Sequence, residues 1–257
     1  MIRHSLLVGI IWTLSSLWPA MAWQTETFPP LEVDSEHLLA RLESYRLLYR
    51  GQIVGCLDYD TRKEDNGLVR KAYLTKGQNI KERSVIHLNQ QAKTTTITRS
   101  GNYNATPIKV DLVMKNGKVT GQSQDPVSHG NTAQKQAINT KLPTNTYSLD
   151  DAFHLLIQGL PMETDRVMKL NAYDPPTNQV YAMSLTVTGE EKITVPAGSF
   201  QTWRLVLEGG PYKRTYYLSQ QKPRRLIKAS FPDMRLEMEL LEKSYETVIR
   251  EIAAQQK

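Results

Sequence analysis

The chain has a single cysteine, Cys56, in 257 residues. It can close no internal disulfide, so a packed core has to hold the fold, and this length is enough to build one. No histidine stands near Cys56 in sequence, so it reads as a small buried hydrophobe rather than an activated thiol. Histidine is scarce as well. His37, His87, His129 and His154 lie beyond the N-terminal segment, no two of them at metal-ligand spacing, and there is no His-Glu-x-x-His. Also missing are a Gly-x-Ser-x-Gly elbow, a Walker loop, a Gly-x-Gly-x-x-Gly turn and a calcium loop. No metal, cofactor or catalytic residue is therefore assigned. A Ser-His-Asp site is assembled from distant segments, which keeps a hydrolase as a third reading. Asp150, Asp151 and His154 do share one helical turn; the plain reading is helix-start acids beside an ordinary histidine.

Long apolar runs are absent except at the start, "MIRHSLLVGIIWTLSSLWPAMAWQ". Arg3 supplies a positive n-region, residues 5–18 an apolar stretch too short to span a bilayer, and Ala20-Met21-Ala22 a small-x-small cleavage site. This predicts a secretory signal peptide over residues 1–22, cleaved after Ala22, and a periplasmic protein with no transmembrane segment in its mature chain. The formal net charge is +6, and the densest basic run is "QQKPRRLIK". Export argues against nucleic acid as partner; a basic exported protein suits an anionic envelope surface.

Most of the rest has a period of two. Met234, Leu236, Met238 and Leu240 alternate with Arg235, Glu237 and Glu239; Ile108, Val110, Leu112 and Met114 repeat the pattern, as do Met183, Leu185 and Val187. These are half-buried strands. Asn66-Gly67 and Asn116-Gly117 suit type I′ hairpins, and roughly a dozen strands on short links make an antiparallel meander. Three segments differ. A lead over residues 23–44 carries a brief helix from Ser35 to Leu42. "YSLDDAFHLLIQGLP" predicts a helix over Leu149–Gln158 with Ser148 as N-cap and Gly159 and Pro161 as stops. Residues 121–146 have no apolar period and read as a long polar loop, disordered or, in a carrier, available as a lid. One antiparallel β domain is expected over residues 45–242, with a polar tail over 243–257.

"EKITVPAGSFQTWRLVLEGG" raises the question of whether Ser199 is a displayed nucleophile. Pro196 lacks an amide hydrogen and fits a strand end. Gly198 accepts a positive φ that other residues resist. With no elbow and no adjacent base, Pro196 and Gly198 read as a structural corner.

That corner, with the following "RTYYLSQQKPRRLIKASFPDMRLEMEL", resembles a family of bacterial exported proteins, the domain-of-unknown-function 3108 family. "YSLDDAFHLLIQGLP" is similar to the family's helix, and "ESYRLLYRGQIVGCLDYD" to its opening strand pair. The resemblance spans residues 45–241 and carries no active site with it. It implies a mainly β fold similar in shape to the periplasmic Lol lipoprotein carriers: an antiparallel curved sheet or half-open barrel with one central α-helix packed on the concave face. The expected activity is non-catalytic binding or carriage of a lipid or other amphiphile in that face, with Leu156 as a cavity-lining candidate. The alternative is an envelope scaffold or assembly factor that binds protein or polysaccharide. An open apolar cavity favours the carrier, a solid concave face the scaffold, and a hydrogen-bonded Ser-His-Asp set the hydrolase.

Overall fold

The computed structural model describes residues 26–77, 79–126 and 134–243. Ala20 and Ala22, and the tail beyond residue 243, lie outside the described residues. Eight strands run in chain order: β1 (Arg41–Tyr49), β2 (Gln52–Glu64), β3 (Gly67–Lys76), β4 (Ile80–Asn89), β5 (Thr94–Tyr103), β6 (Thr106–Lys115), β7 (Lys118–Gln124) and β8 (Gln136–Lys141). Seven more follow: β9 (Thr146–Ser148), β10 (Val167–Asp174), β11 (Gln179–Val195), β12 (Gly198–Gly209), β13 (Tyr212–Ser219), β14 (Leu226–Phe231) and β15 (Leu236–Leu240).

All belong to one sheet, in the order β8 to β1, then β15 down to β9. Two meanders are thus joined by the pairing of the first strand with the last, Tyr45 opposite Leu240 and Tyr49 opposite Leu236. The edges β8 and β9 are neighbours in sequence, so the sheet curls until they approach. Thr140 Oγ1 on β8 donates to Asn178 Oδ1 beyond β10 at 2.7 Å. No ladder closes the gap, and the result is a curved open sheet rather than a closed barrel.

One pair, β9 with β10, is parallel. Parallel neighbours need a crossover, and here the crossover is the helical segment, α1 (Phe153–Leu156) with a 3₁₀ turn Ile157–Gly159. That places the helix on the concave face. It is shorter than the ten residues predicted, and its cap differs. Ser148 ends β9 and gives its hydroxyl to Asp150 Oδ2, while Asp150 Oδ1 accepts from the amide of Ala152. At the other end the N-terminal lead crosses the helix, with Asp34 N donating to Gly159 O at 2.8 Å. A Cβ on Gly159 would sit 2.7 Å from Val33 Cγ1, so the close approach itself requires glycine. The lead's own helix is only a 3₁₀ turn, Ser35–His37, because β1 already begins at Arg41.

The core lies between helix and sheet. Tyr45, Tyr59, Tyr173, Tyr216, Phe153 and Leu155 are among its fully buried side chains, each stabilising the fold by about 1.5–3 kcal/mol. Cys56 is buried on β2. The expectation of a long polar loop over residues 121–146 is overturned for its described part, residues 127–133 lying outside the described residues: β7 runs on to Gln124, β8 lies inside the span and β9 begins at its last residue, Thr146. Their buried apolar anchors are few, Val119 and Ile138 among them, which is too sparse for a period-two signal. The lid assigned to this segment goes with it, since deleting it would remove an edge strand.

Turn chemistry explains the hairpins. Asn116 and Gly117 have φ of 52° and 68°, the type I′ geometry expected. At the other predicted pair the turn is displaced by one residue: Glu64 faces Gly67, with Asp65 and Asn66 between them. The Pro196 corner is a two-residue turn between β11 and β12, with Val195 opposite Gly198. Gly198 has φ of 122°, so this backbone selects glycine.

Candidate functional site

Polar side chains on the inner face of the sheet meet the start of the helix at a cavity of about 240 Å³. Its apolar part comes from Leu57, Ala72, Leu74, Ile86, Leu149 and Phe231. Its polar part comes from Glu82 and Ser84 on β4, Arg99 on β5, Arg214 on β13, and Asp150, Asp151 and His154 on the helical segment. The volume falls just below the usual range for small-molecule sites, about 300–1,000 Å³. On the side of the helix that carries Ala152, Phe153 and Leu156 the packing leaves no room for a water molecule.

The polar groups are wired as follows. Ser84 Oγ donates to Asp151 Oδ2 at 2.9 Å, and Tyr59 OH donates to Asp151 Oδ1 at 3.0 Å. Tyr59 also shares a 2.8 Å hydrogen bond with His154 Nδ1. One phenol proton serves one acceptor, so the network is satisfied when Tyr59 donates to the carboxylate and His154 donates from Nδ1. In a nucleophilic triad, histidine stands between serine and aspartate. Here aspartate stands between serine and tyrosine, and the histidine lies beyond the tyrosine. Arg99 donates to both oxygens of Glu82, at 2.6 and 2.8 Å, and to Asp125 Oδ2 at 2.8 Å. Arg214 stacks instead, 4.7 Å from the Tyr212 ring centre and 5.6 Å from that of Phe231, with no carboxylate within 4.0 Å among the described residues. It is the cation the cavity leaves without an acidic partner.

Burial sets the protonation states. It pushes the His154 imidazole down to about 3, against the pull of Asp151 and with help from Arg70 and Arg214. It pushes Asp150 up to about 6, opposed by the hydrogen bond from Ser148 and reinforced by the charge of Asp151. Burial works against the charge of Arg99, but Glu82 and Asp125 outweigh it and the guanidinium is held more firmly protonated than an ordinary arginine.

A second polar cluster lies deeper. The Arg70 side chain is fully buried, with its guanidinium 3.7 Å from the Tyr59 ring centre. Glu43, also fully buried, sits 3.9 Å from Arg70, 3.0 Å from Arg41 and 3.6 Å from Arg225. Arg41 also bonds the side chain of Gln158, and Arg224 donates to the carbonyls of Gln158 and Leu160. Two cations of the basic run "QQKPRRLIK" are thus engaged within the fold, Arg224 capping the helix end and Arg225 facing Glu43, while Lys228 pairs with Glu237 and Glu239.

The candidates read from sequence separate. His154, Asp150 and Asp151 do line the cavity. Leu156 does not: it is buried against Ala92, Tyr147 and Phe153, in a crevice with no room for a water molecule. Ser199 is exposed and its Oγ lies 2.8 Å from Thr194 Oγ1, far from the network above. Glu82, Ser84, Arg99 and Arg214 were not singled out, because strands far apart in sequence bring them together. Their signal was a polar residue on an apolar strand face: Ser84 on the face of Ile86 and Leu88, Arg99 on that of Ile97. Among the described residues no group of three or more His, Cys, Asp or Glu side chains is placed to hold a metal ion, and no helix is long and apolar enough to cross a membrane.

A family model described as "Protein of unknown function (DUF3108)" matches residues 56–240, well over half of the chain. The chain belongs to the DUF3108 family. Among solved structures, this DUF3108 chain is similar to a beta-barrel-like protein of domain of unknown function DUF1849 from Brucella abortus. The identity is 9%, the TM-score 0.50, and the match covers 79% of this chain and 95% of that one. At such identity the likeness is one of fold. Weaker matches are a candidate exported protein with a YmcC-like fold from Bacteroides fragilis and a candidate lipoprotein from Parabacteroides distasonis. The first has 11% identity, 84% and 98% coverage and a TM-score of 0.30. The second has 12% identity, 86% and 99% coverage and a TM-score of 0.26. No curated relative matches the chain.

Proposed function

We propose that this DUF3108 protein is an exported envelope protein that binds a small amphiphile in the mouth cavity without transforming it. The observation that carries the reading is the cavity's division into an apolar floor, Leu57 to Phe231, and a polar wall in which Arg214 has no acidic partner. An amphiphile matches both halves: its chain displaces water from the floor and its polar or anionic head faces the arginine. The solid core around the helix limits the ligand to a short chain or the end of a longer one. Binding rather than catalysis is supported by the wiring of Ser84, whose proton goes to a carboxylate and not to a histidine. Export is supported by the N-terminal leader pattern, and N-terminal sequencing of periplasmic protein is expected to start at Trp23.

The test is saturable uptake of an environment-sensitive fatty-acid probe by pure protein, paired with mass spectrometry of lipid extracted from protein purified from periplasm. Ala72→Phe fills the cavity from β3 and is expected to abolish uptake, while Leu156→Met, away from the cavity, leaves it unchanged. A folded wild-type protein that takes up no amphiphile ends this reading and leaves the envelope scaffold, which the solid part of the concave face favours.

A further inference from the structure

Phe231, in the lining of the cavity, ends β14 beside the turns where β1 runs into β2 and β14 into β15. These two turns touch, with Arg50 N donating to Arg235 O at 3.1 Å. Phe231 joins them to the cavity, since it lines the cavity and also a shallow dish of about 310 Å³ walled by Arg50, Arg235 and Leu236.

The outer surface here has an unusual make-up. Ile53 and Met234 are 55% and 52% exposed, and Tyr49, at the end of β1, is exposed too. The ladder sets Leu48 opposite Ile53 and Tyr49 opposite Leu236, so Ile53 and Tyr49 flank the β1–β2 turn from opposite faces of the sheet, and Met234 stands in the adjoining β14–β15 turn. Around them stand Arg50, Lys76 and Arg235. Arg50 and Lys76 lie 5.4 and 5.7 Å from the Tyr49 ring centre. None of the three has a carboxylate within 4.0 Å among the described residues. The nearby acids are engaged elsewhere, Asp233 by the amide of Lys213 and Glu237 by Lys228. Both arginines also hold left-handed backbone, φ of 51° and 52°, at turn positions where asparagine or glycine folds with less strain. Cations without internal partners, set around exposed Ile, Met and Tyr tips, match a surface that is anionic outside and apolar just beneath.

We infer that the β1–β2 and β14–β15 turns dock this protein on an anionic phospholipid surface, with Ile53 and Met234 entering the acyl boundary and Arg50, Lys76 and Arg235 on the phosphates. The inference deepens the binding reading above and rests on it for its purpose: docking by this rim brings the cavity that Phe231 lines toward the bilayer from which an amphiphile would be taken. The charge complementarity is local, and it replaces the whole-chain net charge as the reason for an anionic partner.

Vesicle co-sedimentation of the full mature chain tests it, comparing phosphatidylcholine alone with phosphatidylcholine mixed with phosphatidylglycerol. Binding is expected to the anionic vesicles, to weaken with salt, and to fall about five-fold for each of Arg50→Asn and Arg235→Asn. Asparagine tolerates the left-handed backbone, so these variants remove charge without adding strain. Ile53→Ser and Met234→Ser are expected to lower binding further at unchanged salt dependence. Thermal melting checks that each variant is folded. Uptake of the soluble fatty-acid probe is expected to be the same in all four variants, because none of these side chains lines the cavity. Loss of probe uptake with intact vesicle binding would end the cavity reading and leave the docking surface standing. Equal binding to both vesicle types, or wild-type binding by the double arginine variant, would overturn the docking proposal. So would a dimer in solution that buries Ile53 and Met234.

Discussion

His154 and Asp150 sit within one helical turn and titrate in opposite senses, which gives a sharp test of the site's electrostatics. The His154 imidazole, ordinarily near 6.5, is lowered to about 3 by burial. Between those values the unfolded chain binds a proton that the folded protein refuses. Stability from this residue is therefore present above about pH 6.5 and is lost as pH falls toward 3. Asp150, ordinarily near 3.8, is raised to about 6 by burial. Its folded form holds the extra proton, so its contribution is present below about pH 3.8 and is lost as pH rises through 6. At about 1.4 kcal/mol per pH unit, lowering the pH from 7 to 4 costs about 3 kcal/mol through His154 and returns about 2 kcal/mol through Asp150. The two nearly cancel in the wild type. They separate in variants. Asp150→Asn keeps the acceptor for Ala152 N, loses the one for the Ser148 hydroxyl at every pH, and removes the titration, so its stability is expected to fall about 2 kcal/mol more steeply than wild type over this range. His154→Gln is expected to gain about 3 kcal/mol relative to wild type over the same range. Urea denaturation at pH 7, 5.5 and 4 measures both, and the variant-minus-wild-type difference cancels every other titrating group. Profiles that move in the same direction, or that match wild type within about 0.5 kcal/mol, would refute the reasoning.

Two further predictions concern structure rather than ligand. Gly198→Val forces a β-branched residue to φ of 122° and is expected to cost about 1–3 kcal/mol, whereas Ser199→Ala, which loses only an exposed hydroxyl contact, leaves the unfolding midpoint within about 0.5 kcal/mol of wild type. Glu43→Gln strips the buried Arg70 of its nearest carboxylate and is expected to cost about 3–5 kcal/mol by chemical denaturation; a neutral effect would mean that the aromatic face of Tyr59 alone sustains the charge.

The sequence by itself determined the β class, the strand-and-turn rhythm, the corner at Pro196 and Gly198, and the presence of one helical insertion. These are local matters. Alternation at positions such as Met234 to Leu240 follows from the two-residue period of a strand, and a positive φ at Gly198 or Asn116 is a demand of the turn itself. The family resemblance added the curved, open form. The sequence misjudged what depends on neighbours. Residues 121–146 looked like a loop because edge strands need few apolar anchors, and the helix looked long because nothing local announces that Leu149 N still bonds Tyr173 O, which carries the β9 pairing into the expected first turn.

Only the tertiary structure decided where chemistry gathers. Glu82, Ser84, Arg99, Arg214 and His154 come from four different elements, and curvature of the sheet, not spacing in the chain, carries them to one cavity. Arg70 and Glu43 are ordinary charged residues in sequence; their burial follows from facing the concave side at the point where the helix lies against it. The exposed rim of Ile53, Met234, Arg50 and Arg235 is assembled the same way. The first strand pairs with the last, which brings residues more than 180 positions apart into adjacent turns, and no local pattern encodes that closure.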